Sequence, residues 1–301
     1  MWTGNSLVLL KGDLSMQLAG LRNKFLSLLC FMLAGCSTLL WAVDIKPEEV
    51  LAKHLDAIGS AQARKSIKSR AIQGAATYRV LVGGNGAMDG KFQFATEAPK
   101  SDYLFRINGS GYQGEQFIFD GSKTSVAGTW SDKSRSEFGN VILSQDLIVR
   151  ENLLGGVWST GWPLLDLESH KAKLHVEGMK RIDGKELLAV RYQPKKSTDL
   201  EIVLYFDPQT YQHVATIYKM ETSTSIEGGE LEQSGKQRPR NKIEERFSDF
   251  KSADGLTLPN HYDLRFTTET ENGFTKTIEW EVKALSIANN MSIDPRAFQV
   301  K

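Results

Sequence analysis

The side chains able to do chemistry in this chain are few, and their spacing scatters them. Five histidines occur, His54, His170, His175, His213 and His261, and no two stand four apart as a helical metal site requires. His54 reads as a helix-face residue, and His170 and His175 as solvated flanks of a strand start. The glycine-rich stretch Gly83-Gly84-Asn85-Gly86-Ala87-Met88-Asp89-Gly90 lacks the lysine and the following helix of a phosphate loop, so it reads as a hairpin loop. Ser110 lies between Gly109 and Gly111 in a turn, without the flanking pattern of a nucleophile elbow. Asp120, Asp166 and Asp207 stand in turn sequences, where capping accounts for them. Cys30 and Cys36 are the two cysteines, too few for a disulfide framework or a cysteine-rich metal centre. No catalytic set, metal site or cofactor is expected, and the chain reads as a non-enzyme.

The aromatic residues say more. Beyond residue 43 the tryptophans are Trp130, Trp158, Trp162 and Trp280. Trp158 and Trp162 stand beside Gly155-Gly156 and Gly161, so a segment with backbone freedom presents two large apolar groups. That arrangement suits a lid, buried against a sheet or gating a cavity.

The elements that must position these groups follow from patterning. Arg22 and Lys24 precede the apolar run 25–42, the layout of an exported leader. Lys11 and Asp13 interrupt what comes before, so Met16 is read as the true start. Leu33-Ala34-Gly35-Cys36 resembles a lipobox, in which Cys36 would be acylated; cleavage after Ala42 competes with it. Residues 1–43 are therefore assigned to a signal peptide and 44–301 to one domain, exported in either case. The balance of 37 basic against 36 acidic residues offers no basic stripe for nucleic acid.

After the leader, Pro47 to Ile58 reads as a helix with Val50, Leu51, His54, Leu55 and Ile58 on one face, closed by Gly59; Ser60 opens a second, through Ile67. From Ser69 the period becomes two. Phe92 and Phe94; Tyr103, Phe105 and Ile107; Leu188, Val190 and Tyr192; Leu258, Tyr262, Leu264 and Phe266; and Ile278, Trp280 and Val282 alternate with polar neighbours. Turns are expected at Asp89-Gly90, Asp120-Gly121, Asp183-Gly184, Asp254-Gly255 and Asn272-Gly273. Two stretches interrupt the pattern: 139–168, with a helical apolar pattern and an aromatic loop, and the polar 222–241, read as a loop between strands.

About eleven antiparallel strands cannot stay flat. The expected fold is mainly β (α+β): a single strongly curved antiparallel sheet forming a half-barrel, with the N-terminal helices and a central helical lid on its concave face. A two-layer sandwich with a solid core is the competing arrangement. Helices seldom fill a curved trough, so a residual apolar cavity is expected.

Four motifs, VLAKHLDAIGSAQARKSIKS, GKELLAVRYQP, LEIVLYFDPQTYQHVATIYKM and FSDFKSADGLTLPNHYDLRF, together resemble the outer-membrane lipoprotein-sorting superfamily of LolA/LolB-like half-barrels. The resemblance implies a periplasmic or envelope protein that holds an acyl chain, an acylated protein or another amphiphile, with transport to the outer membrane as its strongest form. Alternation nominates Phe92, Phe94, Tyr103, Phe105, Trp158, Trp162, Tyr262, Phe266 and Trp280 as lining residues. The alternative is a non-enzymatic envelope sensor or interaction module, its cavity filled by its own side chains and its partner a protein. Either form is expected to be a monomer.

Overall fold

The computed structural model describes residues 45–128, 135–221, 240–269 and 272–299. Residues 1–44, with Met16, Cys36 and Ala42, together with Trp130 and nearly all of the segment 222–241, read from the sequence as a loop, lie outside the described residues.

Among the described residues two helices come first. Helix α1 (Pro47–Ile58) starts on proline with Glu48 and Glu49 in its first turn, where the helix dipole favours acids. Its buried face is Val50, His54 and Ile58. Ser60 then caps α2 (Ala61–Ser66), its hydroxyl accepting from the Ala63 amide at 3.1 Å.

Among the described residues twelve strands follow, against about eleven expected from the sequence. They are β1 (Arg70–Val82), β2 (Ala87–Glu97), β3 (Lys100–Ile107), β4 (Glu115–Phe119) and β5 (Thr124–Gly128), then β6 (Lys173–Ile182), β7 (Lys185–Gln193) and β8 (Glu201–Phe206). The last four are β9 (His213–Glu221), β10 (Arg240–Ala253), β11 (Leu256–Glu269) and β12 (Thr275–Asn289). All lie in one antiparallel sheet, in the order β5-β4-β3-β2-β1-β12-β11-β10-β9-β8-β7-β6. Asp183-Gly184 and Asp254-Gly255 make their expected turns with both residues at positive φ, the conformation a tight hairpin needs. Asp89-Gly90 does not turn: it lies within β2, where a Cβ on Gly90 would come within 2.1 Å of the Arg106 carbonyl oxygen. That glycine serves close strand approach, and the turn falls earlier, between Val82 and Ala87.

This order has a topological consequence. Strands β5 and β6 are consecutive in the chain but form opposite edges of the sheet, on the order of 50 Å apart if strands 4.8 Å from one another lay flat. The segment joining them must therefore cross the whole sheet. It does so as α3 (Glu137–Ser144), α4 (Leu147–Arg150), single 3-10 turns at Gly156–Trp158 and Pro163–Leu165, and α5 (Leu167–His170). The expected lid helix is thus a series of short turns, because Gly155 and Gly156 take positive φ (75° and 52°) and Pro163 cannot continue a helix.

Curvature is visible in which residues meet. The lid's Phe138 meets Phe117 from β4 at 5.4 Å, Phe266 from β11 at 5.4 Å and Trp280 from β12 at 4.9 Å between ring centroids. Strands so far apart in the order can share a core around one strap only if the sheet bends around it. The fold is a single open curved sheet, and the sandwich alternative is not realised.

Candidate functional site

The concave trough and the lid inside it form the candidate site. Alternation along β2, β3, β11 and β12 turns Phe92, Phe94, Tyr103, Phe105, Tyr262, Phe266 and Trp280 onto the concave face, and the lid supplies Trp158 and Trp162. All nine nominated residues are at most 1% exposed. They pack mainly on one another: Phe94 against Tyr103 at 4.4 Å between ring centroids, Trp158 against Tyr262 at 5.1 Å, and Trp280 against the lid's Phe138 at 4.9 Å.

Among the described residues, the side chains of the trough and the strap pack on one another along these nine positions. None of the nine lines the cavity of about 20 Å³ beneath α1 and α2, nor the two open grooves, of about 520 and 310 Å³, between α1, the end of the lid and β6. The reason is the strap: as an irregular chain rather than a rigid helix it follows the trough's curve, and its tryptophans fill the depth. A Cβ on Gly155 would touch the Tyr103 ring at 3.2 Å, and one on Gly156 would come within 3.0 Å of His213 Nδ1, so both glycines allow the backbone to settle onto the floor.

Polar clasps fasten the lid. The deepest is Glu245, fully buried on β10, whose carboxylate accepts from the Gly155 amide (2.6 Å), the Tyr218 hydroxyl (2.7 Å) and the Tyr262 hydroxyl (2.9 Å). Burial pushes its pKa up to about 7 against the opposing effect of those three donors. Arg70, at the start of β1, donates to the Val157 and Trp158 carbonyls at 2.6 and 2.9 Å. Trp158 Nε1 donates to the Pro259 carbonyl at 2.8 Å, Asn152 Nδ2 to the Pro99 carbonyl at 2.8 Å, and Tyr103 Oη to the Leu154 carbonyl. Groups from β1, β3, β10 and β11, with the β2–β3 turn, thus hold one short stretch of lid.

At one end lies a seam of rings. Trp162 stacks on His213 at 5.0 Å and meets His54 edge-on at 5.1 Å. His54 Nδ1 bonds the Tyr211 carbonyl at 2.8 Å, while His54 Nε2, His213 Nδ1 and Trp162 Nε1 are buried without a hydrogen-bond partner among the described residues. Burial lowers the His54 pKa to about 4 and that of His213 well below the usual range, so both rings are neutral at pH 7.

Sequence reasoning missed Glu245, Arg70, Tyr218 and His213. The signal for the first was present: Ile243-Glu244-Glu245-Arg246-Phe247 alternates with an acid on the apolar phase. Among the described residues no group of three or more His, Cys, Asp or Glu side chains could hold a metal ion, and no helix is long and apolar enough to cross a membrane.

No family model matches the chain, and no curated protein matches it by sequence. Solved structures do. A DUF1329 family protein from Desulfovibrio piger is 11% identical, with a TM-score of 0.44 over 84% of this chain and 96% of that one. A putative outer membrane lipoprotein-sorting protein domain from Vibrio parahaemolyticus is 9% identical, with a TM-score of 0.43 over 84% of this chain and 97% of that one. A LolA superfamily protein from Nitrosomonas europaea is 11% identical, with a TM-score of 0.43 over 85% of this chain and 98% of that one. Proteins described as a LolA superfamily protein and a lipoprotein-sorting domain are thus among the solved structures this chain is similar to. The architecture stands on the strand pairing itself, and likeness at this level says nothing about activity.

Proposed function

We propose that the protein is an exported, non-enzymatic binding module in which the lid occupies the trough in the absence of ligand and gives it up to an acyl chain or a similar amphiphile. One observation carries this reading: the trough is filled by a crossing strap that the topology leaves on its open side, pinned by hydrogen bonds. A filler of that kind can be exchanged without unpairing the sheet.

Magnitudes set the size of the ligand. An aromatic side chain buries 150–250 Å², so exposing Trp158 and Trp162 costs about 8–12 kcal/mol at about 25 cal/mol per Å². Each buried methylene returns about 0.8 kcal/mol, so roughly ten to fifteen are needed to balance the exchange. Long-chain lipids and acylated proteins meet that requirement, and short acids do not. Whether the module is free or tethered through acylated Cys36 belongs to the same proposal, with envelope localisation and delivery to the outer membrane as its fullest form.

A second reading has its own support. The grooves beside α1 are lined by Leu51, Leu55, Leu165 and Leu167 and lie next to β6, the sheet's open edge. A permanently closed trough with that groove as its contact surface would make the protein an interaction module. Native mass spectrometry after incubation with palmitate or octanoate separates the two. Retention of palmitate but not octanoate is expected; retention of neither sinks the exchange reading and leaves the interaction module.

A further inference from the structure

The small cavity beneath α1 and α2 has a chemistry unlike the rest of the interior. It is partly open to solvent and lies where the N-terminal helices, the lid and the β10–β11 turn meet, walled by Ile58, Ile67, Val157 and Leu256. Into these apolar walls the chain sets two guanidinium groups, Arg64 from α2 and Arg70 from β1.

Arg70 is 3% exposed, and burial lowers its pKa to about 10. Its Nε donates to Asn289 Oδ1 at 2.7 Å, and its Nη1 to the two lid carbonyls; its Nη2 makes no hydrogen bond among the described residues. Arg64 uses Nη1 on the Leu55 and Gly59 carbonyls at the end of α1, which leaves Nε and Nη2 without partners among the described residues. Neither arginine forms an ion pair with a described residue. The acid that acts on Arg70 is Asp254, linked to it through Asn289, whose Nδ2 donates to the Asp254 carboxylate at 2.9 Å. Arg70 is buried and Arg64 half-buried, and with one indirect carboxylate between them they leave one positive charge at the site. Buried charges in proteins are otherwise paired.

We propose that this cavity is a binding site for a monoanionic carboxylate group, held by Arg64 and Arg70 with its carbon against the apolar walls. The charge balance calls for one negative charge. The cavity is small, about 20 Å³, and partly open, so only the planar head of a ligand can enter it while the rest stays at its mouth. The planar fork of a guanidinium matches a carboxylate's two oxygens. The site does not require the trough to open, so it stands apart from the exchange of the lid. The carboxylate could come from a free small acid or from the head of a fatty acid.

The test is isothermal titration and saturation-transfer NMR on the full chain with sodium acetate, against sodium chloride and inorganic phosphate as competitors. Acetate is expected to bind once per chain in the millimolar range, with phosphate and chloride at least tenfold weaker. Arg64→Gln should weaken acetate at least tenfold. Ile67→Phe, which fills the cavity while keeping both arginines, should do the same and guards against a folding defect in the first variant. Palmitate that displaces acetate identifies a fatty-acid head as the source, and palmitate that binds alongside it identifies a free acid; both outcomes support the site. Absence of acetate binding, equal displacement by chloride or phosphate, or unchanged affinity in folded Ile67→Phe overturns it.

Discussion

The two faces of the sheet are built from the same strands and behave as different materials. Along β12, Ile278, Trp280 and Val282 point into the trough and are at most 5% exposed, while Glu279, Glu281 and Lys283 point outward. The outward residues join a ladder across three strands. Arg79 on β1 pairs with Glu281 at 2.5 Å, and Arg265 on β11 pairs with Glu279 at 2.5 Å. A small apolar patch of Leu187, Val203, Tyr205 and Ile217 completes that face on β7 to β9. Inside, stability rests on close packing, in which a lost ring leaves a void. Outside, it rests on ion pairs whose arginines are over a third exposed, even where the acid, Glu279, is itself covered. The lesson concerns the lid: it lies on the face where displacement is expensive, so only a ligand that restores apolar contact can move it.

Predictions that break or sharpen this contrast run from the trough outward. Replacing Trp280 with Ala removes a fully buried ring packed on Phe138, Tyr78 and Phe105 and should cost about 3–5 kcal/mol in urea unfolding, without rescue by salt. A loss under about 1 kcal/mol would mean that the trough is loosely packed.

Glu245→Gln probes the clasp through pH. The folded carboxyl titrates at about 7 and the unfolded one near 4.5, so the native state binds more protons between those values and Glu245 makes stability fall as pH rises through that window. The difference between wild type and the glutamine variant should therefore move against wild type by up to about 3 kcal/mol from pH 4.5 to above 7. His54, lowered to about 4, acts in the opposite sense below pH 6.5, and stability on its account is lost as pH falls. It is common to both proteins and cancels in the difference. A flat difference would show that the Gly155 clasp carries no titration.

Trp158→Ala removes about half of the aromatic area that a ligand must displace. The chain-length threshold should fall to about six methylenes, so that decanoate is retained by the variant and not by wild type. An unchanged threshold would remove Trp158 from the exchange. The smallest effect belongs to the outer face, where Arg79→Ala should change stability by less than about 1 kcal/mol and lose even that at high salt, because Arg79 is itself over a third exposed.

Much of this architecture was legible in the chain. Pro47 and Gly59 bound α1, and the period-two apolar positions Phe92, Phe94, Tyr103 and Trp280 are all buried. Register on the buried face is strongly fixed, because one slip would invert every side chain. What could not be read was occupancy. Whether a trough is empty depends on how an irregular segment folds into it, and Gly155-Gly156 permits that fold without announcing it. Arg70 and Glu245 were obscure for another reason. A charged residue on an apolar phase reads as a break in the pattern until the strap that uses it is in place.

The account is tested most directly by hydrogen exchange at the Gly155 amide, which donates to buried Glu245. Palmitate should speed exchange across 153–165 by at least tenfold while the amides of β1, β11 and β12 stay protected. Unchanged or slower exchange in the lid of a palmitate-bound protein would contradict the displacement of the strap.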